Sequence, residues 1–254
     1  MSDGPGVNEE TSATFGVLIG IGLGPGDPEL VTIKAARLIG AAKFIAYFAK
    51  SGRKSHARTI AAPYLPVEFE EIPLLYPVTT EIPVADPAYN GSLSPFYAAS
   101  AQRLAQVLEA GQNVALLCEG DPMLYGSFMH IFTRLADRFR VEICAGVSGM
   151  SGCFAAARQP MTWGDDTLTV MPATLDEESL VSRLTAADAA VIMKLGGNFP
   201  KLRRALARAG LTERAIYVER GTMEGEKILR LTEKTDDIAP YFSMVLAPGQ
   251  GRRP

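Results

Sequence analysis

The chain has 254 residues, 47% hydrophobic and 21% charged, enough to bury a sizeable core in one large domain or two smaller ones. A formal net charge of -3 gives no overall basic field for nucleic acid, and no apolar run reaches the roughly 20 residues that cross a bilayer. Cys118, Cys144 and Cys153 lack CxxC spacing and His56 and His130 lie far apart, so reduced, buried thiols are expected and no metal centre.

Residues 1–14 lack apolar periodicity and read as a disordered tail; without a basic n-region or an apolar h-region they also point to a cytoplasmic protein. Order begins with a β-branched apolar run at 15–21, a buried strand leading into GIGLGPGDPEL at 20–30. Asp27 and Pro28 suit an N-cap and a first helical position, and Leu30, Ile33, Ala36, Leu38 and Ile39 follow as an apolar face. A second strand covers 43–49. The basic loop SGRKSHAR follows, then a stretch punctuated by Pro63, Pro66, Pro73, Pro77 and Pro83 that reads as mostly irregular. A helix over 94–111 is closed by Gly111, and strand 114–118 runs into EGDP, repeating the earlier strand, Gly-Asp-Pro, helix design with a helix over 129–139. A strand at 140–144, the turn AGVSGMSG and a small-residue helix stopping before Pro160 complete a first α/β domain, 15–160. The second, 161–250, has strands expected at 166–173, 189–195, 215–221, 226–231 and 241–248 and helices at 177–186 and 200–210. The alternation predicts an α/β fold with largely parallel sheet, mixed in the second domain where strands adjoin.

Glycine-rich turns raise the question of phosphate binding. A dinucleotide fingerprint needs glycines at n, n+2 and n+5; counted from Gly20, Gly22 or Gly24 the third position is Pro25, Asp27 or Glu29, and no P-loop Lys-Ser/Thr pair follows. Asp27 would also set a carboxylate where a phosphate binds. The loop suits close backbone approach of a neutral or cationic group. Its twin at Gly120 and Asp121 places a second bare edge at a strand carboxyl end, where open α/β sheets bind ligands. AGVSGMSG misses the G-x-S-x-G pattern of a serine hydrolase. His130 falls on an apolar helix and reads as packed or capping, and Met193 as core. The group Arg53, Lys54, His56 and Arg58 either lies in solvent or attracts an acidic ligand; Lys194 and Arg220, at strand ends, present the same pair of readings.

GIGLGPGDPELVTIKAARLI, VALLCEGDPMLYGSF and GVSGMSG resemble the three N-terminal motifs of the tetrapyrrole (corrin/porphyrin) methyltransferases. ARTIAAPYL, YPVTTE, VMPATL, IMKLGGNFPKLRRAL, AIYVERGTM and PYFSMVL are similar to the branch of that family that methylates carbon 20 of the macrocycle in cobalamin biosynthesis, and the resemblance covers 15–248. It implies two α/β domains, unlike the usual Rossmann-type methyltransferase, with S-adenosylmethionine in a trough between them and a homodimer as the assembly. By motif it assigns cofactor contacts to Gly24, Pro25, Gly120, Asp121, Leu124, Ser148, Gly149, Met193, Gly221, Thr222 and Phe242. Relatives often carry Ser or Thr at position 149 and Ala at 221, so glycine leaves only backbone contacts there. A sulfonium cation, unlike a pyrophosphate, tolerates the carboxylates of both turns. The implied reaction is in-line transfer of the sulfonium methyl to a meso carbon of the tetrapyrrole, which needs alignment and exclusion of water but no protein nucleophile. Tyr125 and Asp121 are candidate bases, and Arg53, Lys54, Arg58 and Lys194 candidate partners for the macrocycle's carboxylates. A cobalt-bearing substrate, a non-catalytic tetrapyrrole carrier and a nicotinamide oxidoreductase are the alternatives, the last disfavoured by the failed fingerprint.

Overall fold

The computed structural model describes residues 14–77 and 87–251; apart from Thr14, the expected tail lies outside the described residues. Strands β1 (Leu18–Gly22), β2 (Phe44–Lys50), β3 (Glu70–Tyr76), β4 (Val114–Cys118) and β5 (Val141–Cys144) form a wholly parallel sheet in the order β3-β2-β4-β1-β5. Central β4 is buried along its whole length, as an unbroken apolar strand in a sheet covered on both faces must be. Its Val114, Leu116 and Cys118 pack with Leu104 and Leu108 of α3 (Pro87–Glu109) and with Phe128, Ile131 and Leu135 of α4 (Phe128–Leu135). Ala115 and Leu117 face the opposite layer, with Ala35 and Ile39 of α1 (Ile33–Gly40) and Ile60 of α2 (His56–Ile60).

Two local expectations differ from the structure. The proline-punctuated stretch contains β3, with Pro73 inside it; β3 lies at the sheet edge and pairs only with β2, so an imino nitrogen on its far side breaks no ladder. Asp27 caps only a single 3₁₀ turn, Pro28–Leu30, accepting from Glu29 N at 2.9 Å, and α1 starts later under Thr32, whose Oγ1 accepts from Ala35 N at 3.1 Å.

The second sheet, β6 (Leu168–Pro172), β7 (Ala189–Met193), β8 (Ile216–Glu219), β9 (Lys227–Arg230) and β10 (Ser243–Ala247), has the order β6-β7-β10-β8-β9 and is mixed: β6 and β7 run parallel and the other pairings antiparallel. One face is covered by α6 (Glu177–Thr185) and α7 (Phe199–Arg208), whose Leu180, Leu184, Phe199, Leu202 and Leu206 pack on Ala190, Ile192, Tyr217 and Val245. Each such side chain contributes about 1.5–3 kcal/mol through burial. The other face, Val191, Val218 and Leu246, is covered by Cys153, Met150 and Phe154 of α5 (Gly149–Ala156), the helix that leaves β5 of the first sheet. This joint fixes the first sheet's carboxyl edge against the second sheet.

Candidate active site

Because β1 to β5 are all parallel, their carboxyl ends share one edge, the place where such sheets bind ligands. The two Gly-Asp-Pro loops leave that edge side by side. Leu23 N donates to Cys118 O at 2.9 Å, Gly120 N to Gly24 O at 2.8 Å and Gly24 N to Gly120 O at 3.3 Å. The pairing holds Gly24 at φ 78° and Gly120 at φ 65°, conformations that a side chain would strain. Asp121 then clamps a third loop: Oδ1 accepts from Met123 N at 2.9 Å and Oδ2 from Gly146 N at 3.0 Å. Both its oxygens are engaged by backbone amides, so this candidate base already serves to hold the two loops together.

Pro25 lies against α5, where a Cβ on Gly152 would come within 2.4 Å of its own Cβ. Ser148 caps α5 by accepting from Ser151 N at 3.2 Å, and Gly149 opens that helix facing the Met244 methyl of β10. From the second half, Met193 ends β7, Gly221 sits against Cys153 and Val218, and Thr222 packs on Gly152. Thr222 N donates to Glu226 Oε2 at 2.7 Å, while its buried Oγ1 has no protein partner. Phe242 meets the His56 ring edge-on at 4.6 Å, and its carbonyl accepts from Arg220 N at 2.7 Å. The structure thus gathers the glycine loops, α5 and the 221–222 turn, with His56 and Phe242 closing one side.

On the other side of Gly120, Leu124 and Tyr125 are 38% and 43% exposed, and Lys194 Nζ lies 5.3 Å from the centre of the Tyr125 ring. Tyr125 (φ 55°), Lys194 (φ 58°), Arg220 (φ 52°) and Thr222 (φ 67°) are left-handed without being glycine, as is Arg158 (φ 50°) beyond α5. Each such residue costs of order 1–3 kcal/mol, and strain of this kind gathers at binding sites. His130 stacks on Tyr97 at 4.2 Å, and burial, then Arg134 and Lys194, push its imidazole below the ordinary range. Among the basic candidates, Arg53 and Lys54 are exposed on the loop after β2, whereas Arg58 donates from Nε to Glu71 Oε1 at 2.9 Å and lies over Phe69. Arg58 is therefore committed to β3.

One group escaped sequence reasoning. Glu119, directly after β4 and exposed, has Oε1 accepting from Ala57 N at 3.1 Å. Solvent reaches it, yet the surrounding protein pushes its carboxyl above the ordinary range, against the pull of its backbone hydrogen bonds and nearby His56. The signal was in EGDP itself, where the glycine and aspartate drew attention from the residue before them. Two surface concavities elsewhere, of about 280 Å³ beside Arg214 and Gly249 and about 500 Å³ between α3 and α4, contain none of these groups. Among the described residues no set of three or more His, Cys, Asp or Glu converges on a metal position, and no helix is long and apolar enough to cross a membrane.

The family model for tetrapyrrole (corrin/porphyrin) methylases matches residues 17–235. A Sinorhizobium protein named precorrin-2 C(20)-methyltransferase is 52% identical over 239 residues, 94% of this chain and 98% of the relative. A Salmonella typhimurium cobalt-precorrin-2 C(20)-methyltransferase is 31% identical over 240 residues, covering 92% and 97% of the two chains. Among solved structures, uroporphyrin-III C-methyl transferase from Thermus thermophilus, complexed with S-adenosyl homocysteine, shares the fold with a TM-score of 0.63 at 22% identity, over 91% of this chain and 97% of that one. With both halves of the molecule arranged as in that fold, and the family's motifs forming its cleft, this chain belongs to the tetrapyrrole (corrin/porphyrin) methylases.

Proposed function

We propose that this chain is the S-adenosylmethionine-dependent methyltransferase that adds a methyl group to carbon 20 of precorrin-2, giving precorrin-3A and S-adenosylhomocysteine in cobalamin biosynthesis. The observation that carries this reading is likeness over more than nine-tenths of both chains, 52% to a relative named for precorrin-2 against 31% to one named for cobalt-precorrin-2.

The cleft chemistry fits the cofactor. An electropositive sulfonium and the polar groups of a nucleoside suit the bare backbone at Gly24 and Gly120 and the unpartnered Thr222 Oγ1. S-adenosylmethionine, when bound, supplies an activated methyl group. The protein's part is to orient and to keep water out: the Gly24–Gly120 pair and Pro25 form one wall, Ser148 and Gly149 with α5 a second, and Met193, Gly221, Thr222 and Phe242 the face from the second sheet. Leu124 and Tyr125 extend the wall beside Gly120, and Lys194, with exposed Arg53 and Lys54, suits the carboxylates of the macrocycle. The reading includes a cytoplasmic homodimer, which light scattering of the purified protein measures. Its chemical test compares S-adenosylhomocysteine formation under anaerobic conditions with precorrin-2 and with its cobalt complex. Faster product formation from the metal-free substrate is expected; a preference for the cobalt complex reverses the substrate assignment, and no product from either defeats the reading.

A further inference from the structure

We propose that Glu119 is the catalytic base that removes the proton from the carbon receiving the methyl group, an inference that rests on the methyltransferase reading above. Placing a methyl on a meso carbon that already bears hydrogen requires that hydrogen to leave as a proton. In transfer the S–CH3 bond breaks with its electron pair left on sulfur, and a π pair of the macrocycle forms the new C–C bond. The acceptor carbon then holds both H and CH3, and the macrocycle has gained one positive charge. Breaking the C–H bond returns its pair to the conjugated system and sends the proton to Glu119, from which it passes to solvent.

Glu119 occupies the position such a base needs. It follows β4, the central strand, so it stands at the middle of the edge where the glycine loops pair. One oxygen, Oε1, is fixed by Ala57 N at 3.1 Å, which holds the carboxylate in place at that edge. Beside it are His56, against Phe242 of the second half, and the loop carrying exposed Arg53 and Lys54, which draws an acidic macrocycle to this side of the edge. The competing carboxylate at the cleft, Asp121, is engaged by two amides, and the Tyr125 ring lies against Lys194 Nζ at 5.3 Å. The surrounding protein raises the basicity of Glu119, the direction that favours a proton acceptor.

The test uses the full chain with precorrin-2, S-adenosylmethionine and substrate deuterated at carbon 20. Glu119→Gln is expected to lower kcat by about 100-fold or more, to bind S-adenosylhomocysteine within twofold of wild type by calorimetry, and to slow at least twofold further with the deuterated substrate. Glu119→Asp, which keeps a carboxylate set back by one methylene, is expected to recover part of the rate and to retain the isotope effect; it carries the test alone if the Gln variant does not fold. A kcat within fivefold of wild type, a loss matched by weakened S-adenosylhomocysteine binding, or a slowed variant without an isotope effect overturns the assignment. Failure of the wild type to methylate precorrin-2 would instead overturn the parent reading.

Discussion

Gly152→Ala sets two effects of opposite sign against each other at the seam between the halves. Inside α5, alanine in place of glycine favours the helix by about 1 kcal/mol. The new Cβ, however, would lie 2.4 Å from Pro25 Cβ, 2.6 Å from Pro25 Cγ and 3.3 Å from Thr222 Cγ2. Carbon atoms rest at about 3.5–4.0 Å, so one side must yield by roughly 1 Å. Neither side yields freely: the adjoining Gly24 is paired with Gly120, and α5 is packed onto the second sheet through Met150, Cys153 and Phe154. Overpacking of this kind costs about 1–3 kcal/mol, which leaves a net loss of up to about 2 kcal/mol. In a chain of this size that is a fall in Tm of up to roughly 8 °C. Binding should suffer more visibly, because Pro25 and Thr222 both belong to the proposed cofactor wall. Calorimetry with S-adenosylhomocysteine is expected to show at least tenfold weaker binding, about 1.4 kcal/mol. A Tm raised by the helix term together with unchanged affinity would refute the reasoning, since the seam would then have absorbed the methyl group without moving the wall.

Three other perturbations probe separate links. Asp121→Asn turns an NH2 toward one of two backbone amides that now share a carboxylate, Met123 N and Gly146 N; the mismatch should cost about 1–3 kcal/mol in denaturant unfolding and weaken S-adenosylhomocysteine binding as the loops part. Glu71→Gln tests pH dependence: the Tyr47 hydroxyl holds the Glu71 carboxyl below its usual 4.5 against the opposing pull of burial, with Arg58 assisting. Its folded value is depressed, so the stabilisation is full above the unfolded value and is lost as pH falls through the folded one; the variant should lose less than about 1 kcal/mol at neutral pH and show a shallower acid limb in Tm against pH, and an unaltered limb would count against the pairing. Lys194→Met should raise KM for the macrocycle severalfold while S-adenosylhomocysteine affinity stays within twofold, whereas a change in cofactor affinity alone would move Lys194 to the other ligand.

Strands with an unbroken apolar signal were legible: Val114 to Cys118 forms β4 to the residue, and the alternation after 160 yields the mixed sheet that closes with β10. β3 was hidden because Pro73 argues against a strand unless its edge position is known, which depends on the order of strands rather than on local sequence. The glycine loops announced a cleft, but their pairing through Gly24 and Gly120 joins residues far apart in the chain. Asp121 looked like a base because a carboxylate in a glycine loop invites chemistry; its ties to Met123 and Gly146 appear only once β4 and β5 are side by side with β1. The docking of α5 onto the second sheet had no local signature either, since Met150, Cys153 and Phe154 are interleaved with Gly, Ser and Ala in two turns and mark no single apolar face to orient it. Cofactor and substrate came from motif resemblance, and spacing alone would have left a capped turn.

The account turns on where the methyl group goes. S-adenosylmethionine labelled with 13C in its methyl, incubated anaerobically with precorrin-2 and the full chain, is expected to give one labelled methyl bound to carbon 20 by NMR, with one S-adenosylhomocysteine formed for each methyl transferred. Label on a different carbon, or S-adenosylhomocysteine formed without a new C–C bond, would contradict it.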